Sequence, residues 1–478
     1  MSEDVVRLLF ESEASSIESG DLNAVHVTGE QELSRPYEYR ITLHSRLEGG
    51  VPPDAVVDLL RQTAFVQFGV QDALAEVHGI ITDVELKPMH ELARAEYEAV
   101  LRPTLWRLSL SHRSRVFQDV TVADIAKTVL DQHQISFEDR LNESYPTREY
   151  VVQYEESDLD FLQRQLEHWG VFYFFEQQQD GEVMILADSN RACESQGQRE
   201  YWPGETSRST RGDMITKLSR RFSLRPLGVT LTDYNWRTPS VPPAGEADAE
   251  ANAGYGAQRY YAEHIKDSDE GNALATVRGQ ALAVSHETYR GHAITPGLVP
   301  GMSFELEGYP VGDLDQAYLI TSTTETAEAD GSVFTQSFEA IPLRVPFRAQ
   351  RITAKPKIIG FMHAVVDGEV PGMAAPLDDQ GRYKVVMPFD EVGKPGAANA
   401  SRWVRMAQTS AGSGYGTHFP AHIGIEVVIS HLDGDPDRPV IVGTVPNPET
   451  ASPVDVSDAT KSRIKTKSGI LIEFEDDG

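Results

Sequence analysis

The chain has 478 residues, enough for two or three domains with substantial cores, and 40% of them are hydrophobic, which excludes a largely disordered protein. Its 73 acidic against 43 basic residues leave a net charge of −30, a balance that repels phosphate backbones and argues against non-specific nucleic-acid binding. The single cysteine, Cys193, forbids an intrachain disulfide, and no run of about 18 apolar residues is present to span a membrane.

The N-terminus is acidic. Its short apolar patch at 5–10 is broken by Arg7 and closed by Glu11, so it lacks the basic start and apolar core of a signal peptide. Early strands are predicted at 37–45, 65–69 and 79–86. Thr121 and Asp124 form a capping-box pattern ahead of Val122, Ile125 and Val129, which predicts a helix from 121. A second helix is predicted over 157–169. Ser157 and Asp160 form its cap pattern, Leu159, Leu162, Leu166 and Trp169 its buried stripe, and Gly170 its stop. Residues 171–175 and 183–187, around Asp180 and Gly181, read as a β-hairpin. The Pro-, Ala-, Gly- and Glu-rich stretch 239–256 reads as a loop and 272–284 as a short Ala-rich helix. Strands resume at 302–306, 318–323 and 333–341.

Composition changes over 342–357, and beyond it strands are short and turns frequent. Tyr383, Val385 and Met387 alternate with Arg382 and Lys384, residues 403–407 supply another strand, and 412–416 is a glycine-rich loop. Residues 423–443 carry the strongest local pattern. Ile425, Val427 and Ile429 fall on one face of an extended segment, and Val440 and Val442 restart an apolar strand. Between them lie Pro436 and Pro439, which cannot donate to a sheet ladder, and the Asp433-Gly434 pair, suited to positive φ. About five short strands in about 90 residues predict a small closed barrel of the OB type. After a Pro-rich spacer at 446–453, residues 464–477 alternate as one last strand. Nothing is left in the chain to pair with such a strand, so it asks for partner chains.

Several segments, in order, resemble VgrG, the spike family of bacterial type VI secretion systems. They are LSRPYEY at 33–39, HGIIT at 78–82, RPTLWRL at 102–108 with SRVFQ at 114–118, and QYEESD at 153–158 leading to Gly170 and YFF at 173–175. The last third adds GRYKV at 381–385, WVR at 403–405, Ala411-Gly412 and Asp433-Gly434-Asp435-Pro436-Asp437-Arg438-Pro439. Departures occur at MPFD (387–390) and HFPAHIG (418–424), where many members read differently. The resemblance implies a mainly β chain with inserted helices. Its parts would be a phage tail-hub-like domain of two β-barrels over 1–350, an OB-fold with linkers over 351–455, and the start of an intertwined trimeric β-helix over 456–478.

It implies a non-enzymatic homotrimer that caps an Hcp tube ring and meets baseplate components. Such a spike carries a PAAR-type tip protein or effectors at its C-terminal end, and crosses a target membrane transiently when the sheath contracts. It would be assembled in the cytoplasm and then translocated by the machine without a signal peptide. Ile470, Ile472 and Phe474 are expected to begin the trimer core, and Asp433 to Pro439 to fix a barrel hairpin. The first alternative is the same architecture in an extracellular contractile injection particle or phage-like tail, and a lower one is a hydrolytic effector.

No catalytic, cofactor or metal residue is assigned. Residues 433–437 carry acids at alternate positions, as a calcium loop does. Arg438 and Thr444 stand where such a loop needs Gly and Glu, so a structural turn is the reading. Cys193 lies in a polar stretch without a base nearby in sequence and reads as an inert thiol. His418 and His422 have metal-ligand spacing for a helix, but Pro420 between them argues against one. The series Gly412, Gly414, Gly416 lacks a phosphate loop's Lys-Ser/Thr ending. Arg211-Gly212-Asp213 carries no weight. Arg382, Tyr383, Lys384, Trp403 and Arg405 have the look of a single-strand binding face, against which the chain's charge stands.

Overall fold

A computed structural model describes residues 6–60, 62–88, 94–203, 214–249, 254–329, 333–391 and 400–476. The chain divides into two units. The first takes Met1–Ser111, Val122–Tyr145 and Ser157–Ala354; the second takes His112–Thr121, Pro146–Glu156 and Lys355–Gly478. Two short stretches from within the first third of the chain therefore fold with its C-terminal part.

Strand Ala317–Glu328 organises the first unit. One edge pairs along its length with Val333–Pro342, while the other is shared between Ser303–Glu307 and Leu22–Glu32. Six strands, Ala317–Glu328, Ser303–Glu307, Ser195–Tyr201, Met214–Phe222, Glu287–Ala293 and Val333–Pro342, close into a barrel because the last pairs back onto the first. Closure leaves none of those six as a free edge over the paired residues. The other half of the sheet runs from Leu22–Glu32 through Glu38–Ser45, Glu96–Arg102, Ala73–Leu86 and Thr63–Val70 to Val6–Ser12. The strand predicted at 37–45 forms over Glu38–Ser45 and buries Tyr39, Ile41 and Leu43 on one face. Inside the closed barrel Tyr289, Phe304, Tyr318 and Phe338 form the aromatic centre, with Phe304 edge-on to Phe338 at 5.7 Å.

All three predicted helices form, and the one expected over 272–284 begins earlier, at Ser268, behind the Asp267 cap. Helix Val122–Gln132 buries Val122, Ile125, Ala126, Val129 and Leu130. Helix Asp158–Trp169 starts at Ser157, whose Oγ accepts from the Asp160 backbone N–H at 3.0 Å, and ends at Gly170 with φ +74°. It is buried well beyond the apolar stripe, because its polar residues are used as ties. The Glu167 carboxylate accepts from the Ile352 and Thr353 backbone N–H groups at 3.1 and 3.0 Å and pairs with Arg35 at 3.1 Å. His133 meets the fully buried Asp158 at 2.7 Å. The hairpin expected after Gly170 is Phe172–Gln178 with Gly181–Ala187.

The stretch expected as a loop at 239–256 contains a strand, Ala244–Asp248, which pairs antiparallel with Gly228–Thr232. Its small residues serve close packing. A Cβ on Gly245 would stand 2.0 Å from the Gly271 carbonyl carbon, on helix Ser268–Val284.

In the second unit five strands, in the order Val385–Val386, Phe361–Val366, Glu426–His431, Pro439–Thr444 and Arg405–Met406, form one sheet. Its ends join through Tyr383 and Val404, which exchange N–H···O bonds of 2.9 and 2.7 Å, so the barrel closes. Tyr383, Val385 and Met387 point into its core, as their alternation predicts. The hairpin 426–444 turns at Leu432–Gly434, where Asp433 and Gly434 take φ +57° and +74°. Asp437 then holds three segments together. It accepts from the Val152 backbone N–H at 2.7 Å and from Lys355 Nζ at 2.7 Å, and Lys355 also meets Asp435 at 2.6 Å. The glycine-rich loop is a tight hairpin of Ala411–Gly412 with Tyr415–Gly416.

The last segment departs from the single strand expected over 464–477. Lys461–Lys465 and Leu471–Glu475 pair antiparallel with each other. Gly469, at φ +95°, closes the turn between them, its N–H donating to the Thr466 carbonyl at 2.9 Å.

Ser157→Ala removes the acceptor for the Asp160 N–H and is expected to cost about 1 kcal/mol, seen as a lower urea midpoint at unchanged slope. His431 is 6% exposed and neither ring nitrogen has a hydrogen-bond partner among the described residues. Burial lowers its pKa from 6.5 to about 4, against the pull of Asp437. The unfolded chain therefore binds a proton that the folded unit refuses, and stability falls as pH drops from 6.5 to about 4. His431→Phe should remove that loss, on the order of 1–3 kcal/mol, from the acid limb. Hydrogen exchange in strand Glu426–His431 measured down the pH range checks it, and an unchanged acid limb would assign the loss to another group.

Candidate assembly site

The C-terminal hairpin separates its residues by face. Register places Ile464 opposite Ile472 and Ser462 opposite Phe474, so Ile464, Ile470, Ile472 and Phe474 share one face. The other face carries charge. Arg463 pairs with Glu473 at 2.6 Å and with Asp458 at 2.9 Å, and Lys461 lies 3.6 Å from Glu473. Arg463 beside them holds both the Glu473 and the Asp458 carboxyls below the usual carboxylate range. At the turn, Lys467 Nζ contacts the Gly372 carbonyl oxygen.

The apolar face is uncovered. Ile464, Ile470, Ile472 and Phe474 are 46%, 68%, 50% and 63% exposed. A two-stranded hairpin is marginal in water by itself, and this one wastes the burial of four large side chains unless something covers it. Sequence reasoning found Ile470, Ile472 and Phe474 from their period. It did not foresee that Ile464 would join them from a second strand, because the turn that folds it back is marked only by Gly469.

The other residues singled out in the sequence are engaged elsewhere. Cys193 is not in an open polar loop. It follows the short turn Asn190–Ala192 and packs in a core cluster with Phe172, Phe174 and Phe347, and burial pushes its thiol up to about 12. Such a thiol is not a nucleophile at neutral pH. His418 stacks on Tyr383, its Nε2 3.3 Å from the phenol oxygen, whereas His422 bridges to Ala374 in the backbone ladder. The basic and aromatic residues of the barrel are used internally. Arg382 donates to Asp378 at 2.6 Å, Tyr383 is fully buried, and Lys384 lies over the Trp403 ring at 5.3 Å. Arg211-Gly212-Asp213 lies outside the described residues. In the first unit a cavity of about 460 Å³ is lined by Glu11, Glu13, His78, Asp180 and Glu182. The Glu182 carboxylate there accepts from Thr104 N–H and Oγ1–H at 2.6 and 2.7 Å, which holds the residue as a cap.

Comparison with known proteins bears on both units. Residues 30–331 match the family described as phage tail baseplate hub (GPD), and residues 372–445 the type VI secretion system/phage-baseplate injector OB domain. The type VI secretion system spike protein VgrG1b of Pseudomonas aeruginosa is 31% identical over 466 residues, covering 94% of this chain. The chain spans 62% of that relative's length. An Escherichia coli component of the type VI secretion system, described as structurally similar to the T4 bacteriophage tail proteins gp27 and gp5, shares the fold. Its TM-score is 0.68 at 24% identity, over 91% of this chain and 100% of that one. The Francisella PdpA–VgrG complex has a TM-score of 0.61 at 8% identity, over 100% of this chain and 84% of the matched chain. The hub match takes in more than half of the chain and the injector OB match follows it in order, so the chain belongs to the phage tail baseplate hub family, of the VgrG type.

Proposed function

We propose that this chain is the structural spike of a type VI secretion system, a homotrimer with no catalytic role of its own. The observation that carries this reading is the C-terminal hairpin, which exposes Ile464, Ile470, Ile472 and Phe474 on one face and ion pairs on the other. Three copies related by a threefold axis would bring three such faces together and bury them. The charged faces would stay in water, and each outer strand edge would find a neighbour. A spike closed in this way transmits force without needing a reactive group.

The remaining parts of the reading rest on the family. The hub end would cap an Hcp tube ring and meet the baseplate, and the C-terminal end would carry a PAAR-type tip or effectors. The solved complex of a VgrG with PdpA supports a protein partner for a chain of this fold. Among the described residues no helix is long and apolar enough to cross a membrane. Passage through a target membrane would then be transient and driven by the machine. The named sequence relative is a type VI spike protein, which favours this machine over an extracellular injection particle or a phage-like tail.

Light scattering coupled to size exclusion tests the assembly. The expected mass is three times the 52.9 kDa chain. Ile472→Asp would place a carboxylate in the shared apolar face and is expected to weaken trimer formation on the order of 100-fold or more. Trimer mass unchanged at limiting concentration would remove Ile472 from the core, and a monomeric wild type would refute the claim that this hairpin suffices for assembly.

A further inference from the structure

A row of four residues crosses four neighbouring strands of the first unit. Tyr39 stands opposite Gly29, Gly29 opposite Glu325, and Glu325 opposite Gln336, on strands Glu38–Ser45, Leu22–Glu32, Ala317–Glu328 and Val333–Pro342. Residues in one such row share a face of the sheet. Gly29 contributes no side chain, and the Tyr39 ring lies across the vacated space: a Cβ on Gly29 would stand 2.1 Å from Tyr39 Cε1. The phenol thereby reaches over a whole strand to Glu325, with 2.5 Å between Tyr39 Oη and Glu325 Oε2. Gln31 Nε2 donates to the phenol oxygen at 2.6 Å. Gln336 Nε2 donates to Glu325 Oε1 at 2.6 Å and to the Leu298 carbonyl at 2.9 Å.

Glu325 is 3% exposed, and Tyr39 and Gln336 are not exposed at all. The groups that face this carboxyl are Tyr39 from strand Glu38–Ser45 and Gln336 from strand Val333–Pro342, with Gln31 behind the phenol. The Phe68 ring lies 5.8 Å from Tyr39 and 6.4 Å from Phe334. No lysine, arginine or histidine pairs with Glu325 among the described residues. A buried carboxylate without a cation is costly, whereas the neutral acid can still join the row by donating to the phenol oxygen.

We propose that Glu325 is held as a neutral acid in the folded hub and that its ionisation loosens the seam between strands Leu22–Glu32, Ala317–Glu328 and Val333–Pro342. The row is thus a proton latch on the strand shared by both halves of the hub. Burial raises the Glu325 carboxyl from 4.5 to about 7, with the Tyr39 and Gln336 hydrogen bonds pulling the other way. Between those values the folded hub keeps a proton that the unfolded chain has released, so stability falls as pH rises through the window. The full difference corresponds to roughly 300-fold in the folding equilibrium.

Hydrogen exchange on the full chain, corrected for intrinsic rates and read over residues 317–342 from about pH 5 to about pH 8, tests the latch. Wild type is expected to lose about tenfold or more in protection across that range, and Glu325→Gln to stay flat. Infrared difference spectra of the wild type supply a second readout that needs no variant. They should show the carbonyl stretch of a buried protonated carboxyl titrating near neutral pH, and Tyr39→Phe, which removes a donor to the carboxylate, should move that titration upward. The same pH dependence in wild type and Glu325→Gln, or no protonated carboxyl above about pH 6, would overturn the proposal.

Discussion

The fold of the first unit depends on one strand having more neighbours than a strand normally has. Ala317–Glu328 gives one edge to Val333–Pro342 and divides the other between Ser303–Glu307 and Leu22–Glu32. The divided edge changes partner between Leu319, which stands opposite Ser303, and Ser322, which stands opposite Glu32, and the register with Val333–Pro342 on the opposite edge shifts over the same stretch, between Ile320 and Ser322. The closed six-stranded barrel and the second half of the sheet both begin from that strand. Any distortion of it reaches both. This explains why its buried face is fastened by a polar row and not by packing alone, with Glu325 reached from two strands away through Tyr39. A glycine at position 29 is the condition for that reach, since a methyl group there would meet the ring.

The second unit solves its closure differently. Its strands are short, so little ladder energy is available from any pair, and the ends are joined through the single exchange between Tyr383 and Val404. The rigidity lost in short strands is restored by side chains that cross between segments. Asp437 is the clearest, holding the Val152 backbone and Lys355 against the barrel hairpin. Burial pushes the neighbouring Asp435 carboxyl up and Lys355 draws it down, so the ammonium between the two acids is what allows both to sit there. The acidic turn looked like part of a cation loop in sequence; the cation it uses is a lysine.

Against these closed structures the C-terminal hairpin stands out by its lack of cover. All five residues of Leu471–Glu475 are exposed. Pairing with Lys461–Lys465 satisfies one edge and leaves the apolar face open. An uncovered amphipathic hairpin of this kind is the surface on which the proposed assembly rests.

Sequence by itself determined the elements whose signals are local. The helix Asp158–Trp169 was legible because Ser157 and Gly170 mark its ends, and the hairpin 426–444 because Asp433-Gly434 and two prolines admit few other backbones. The order of family motifs also gave the hub and the OB barrel, and the period of Ile470, Ile472 and Phe474 gave the candidate site. What only the tertiary structure decided were relations between distant residues or between equal periods. Tyr39 and Glu325 are 286 positions apart. Cys193 sits among polar neighbours in sequence but among Phe172, Phe174 and Phe347 in space. The Gly- and Ala-rich stretch near 245 reads as loop until helix Ser268–Val284 is laid against it. Residues 461–475 have the same alternation whether they run straight or fold back, because a period of two records which face a side chain takes and not which strand lies beside it.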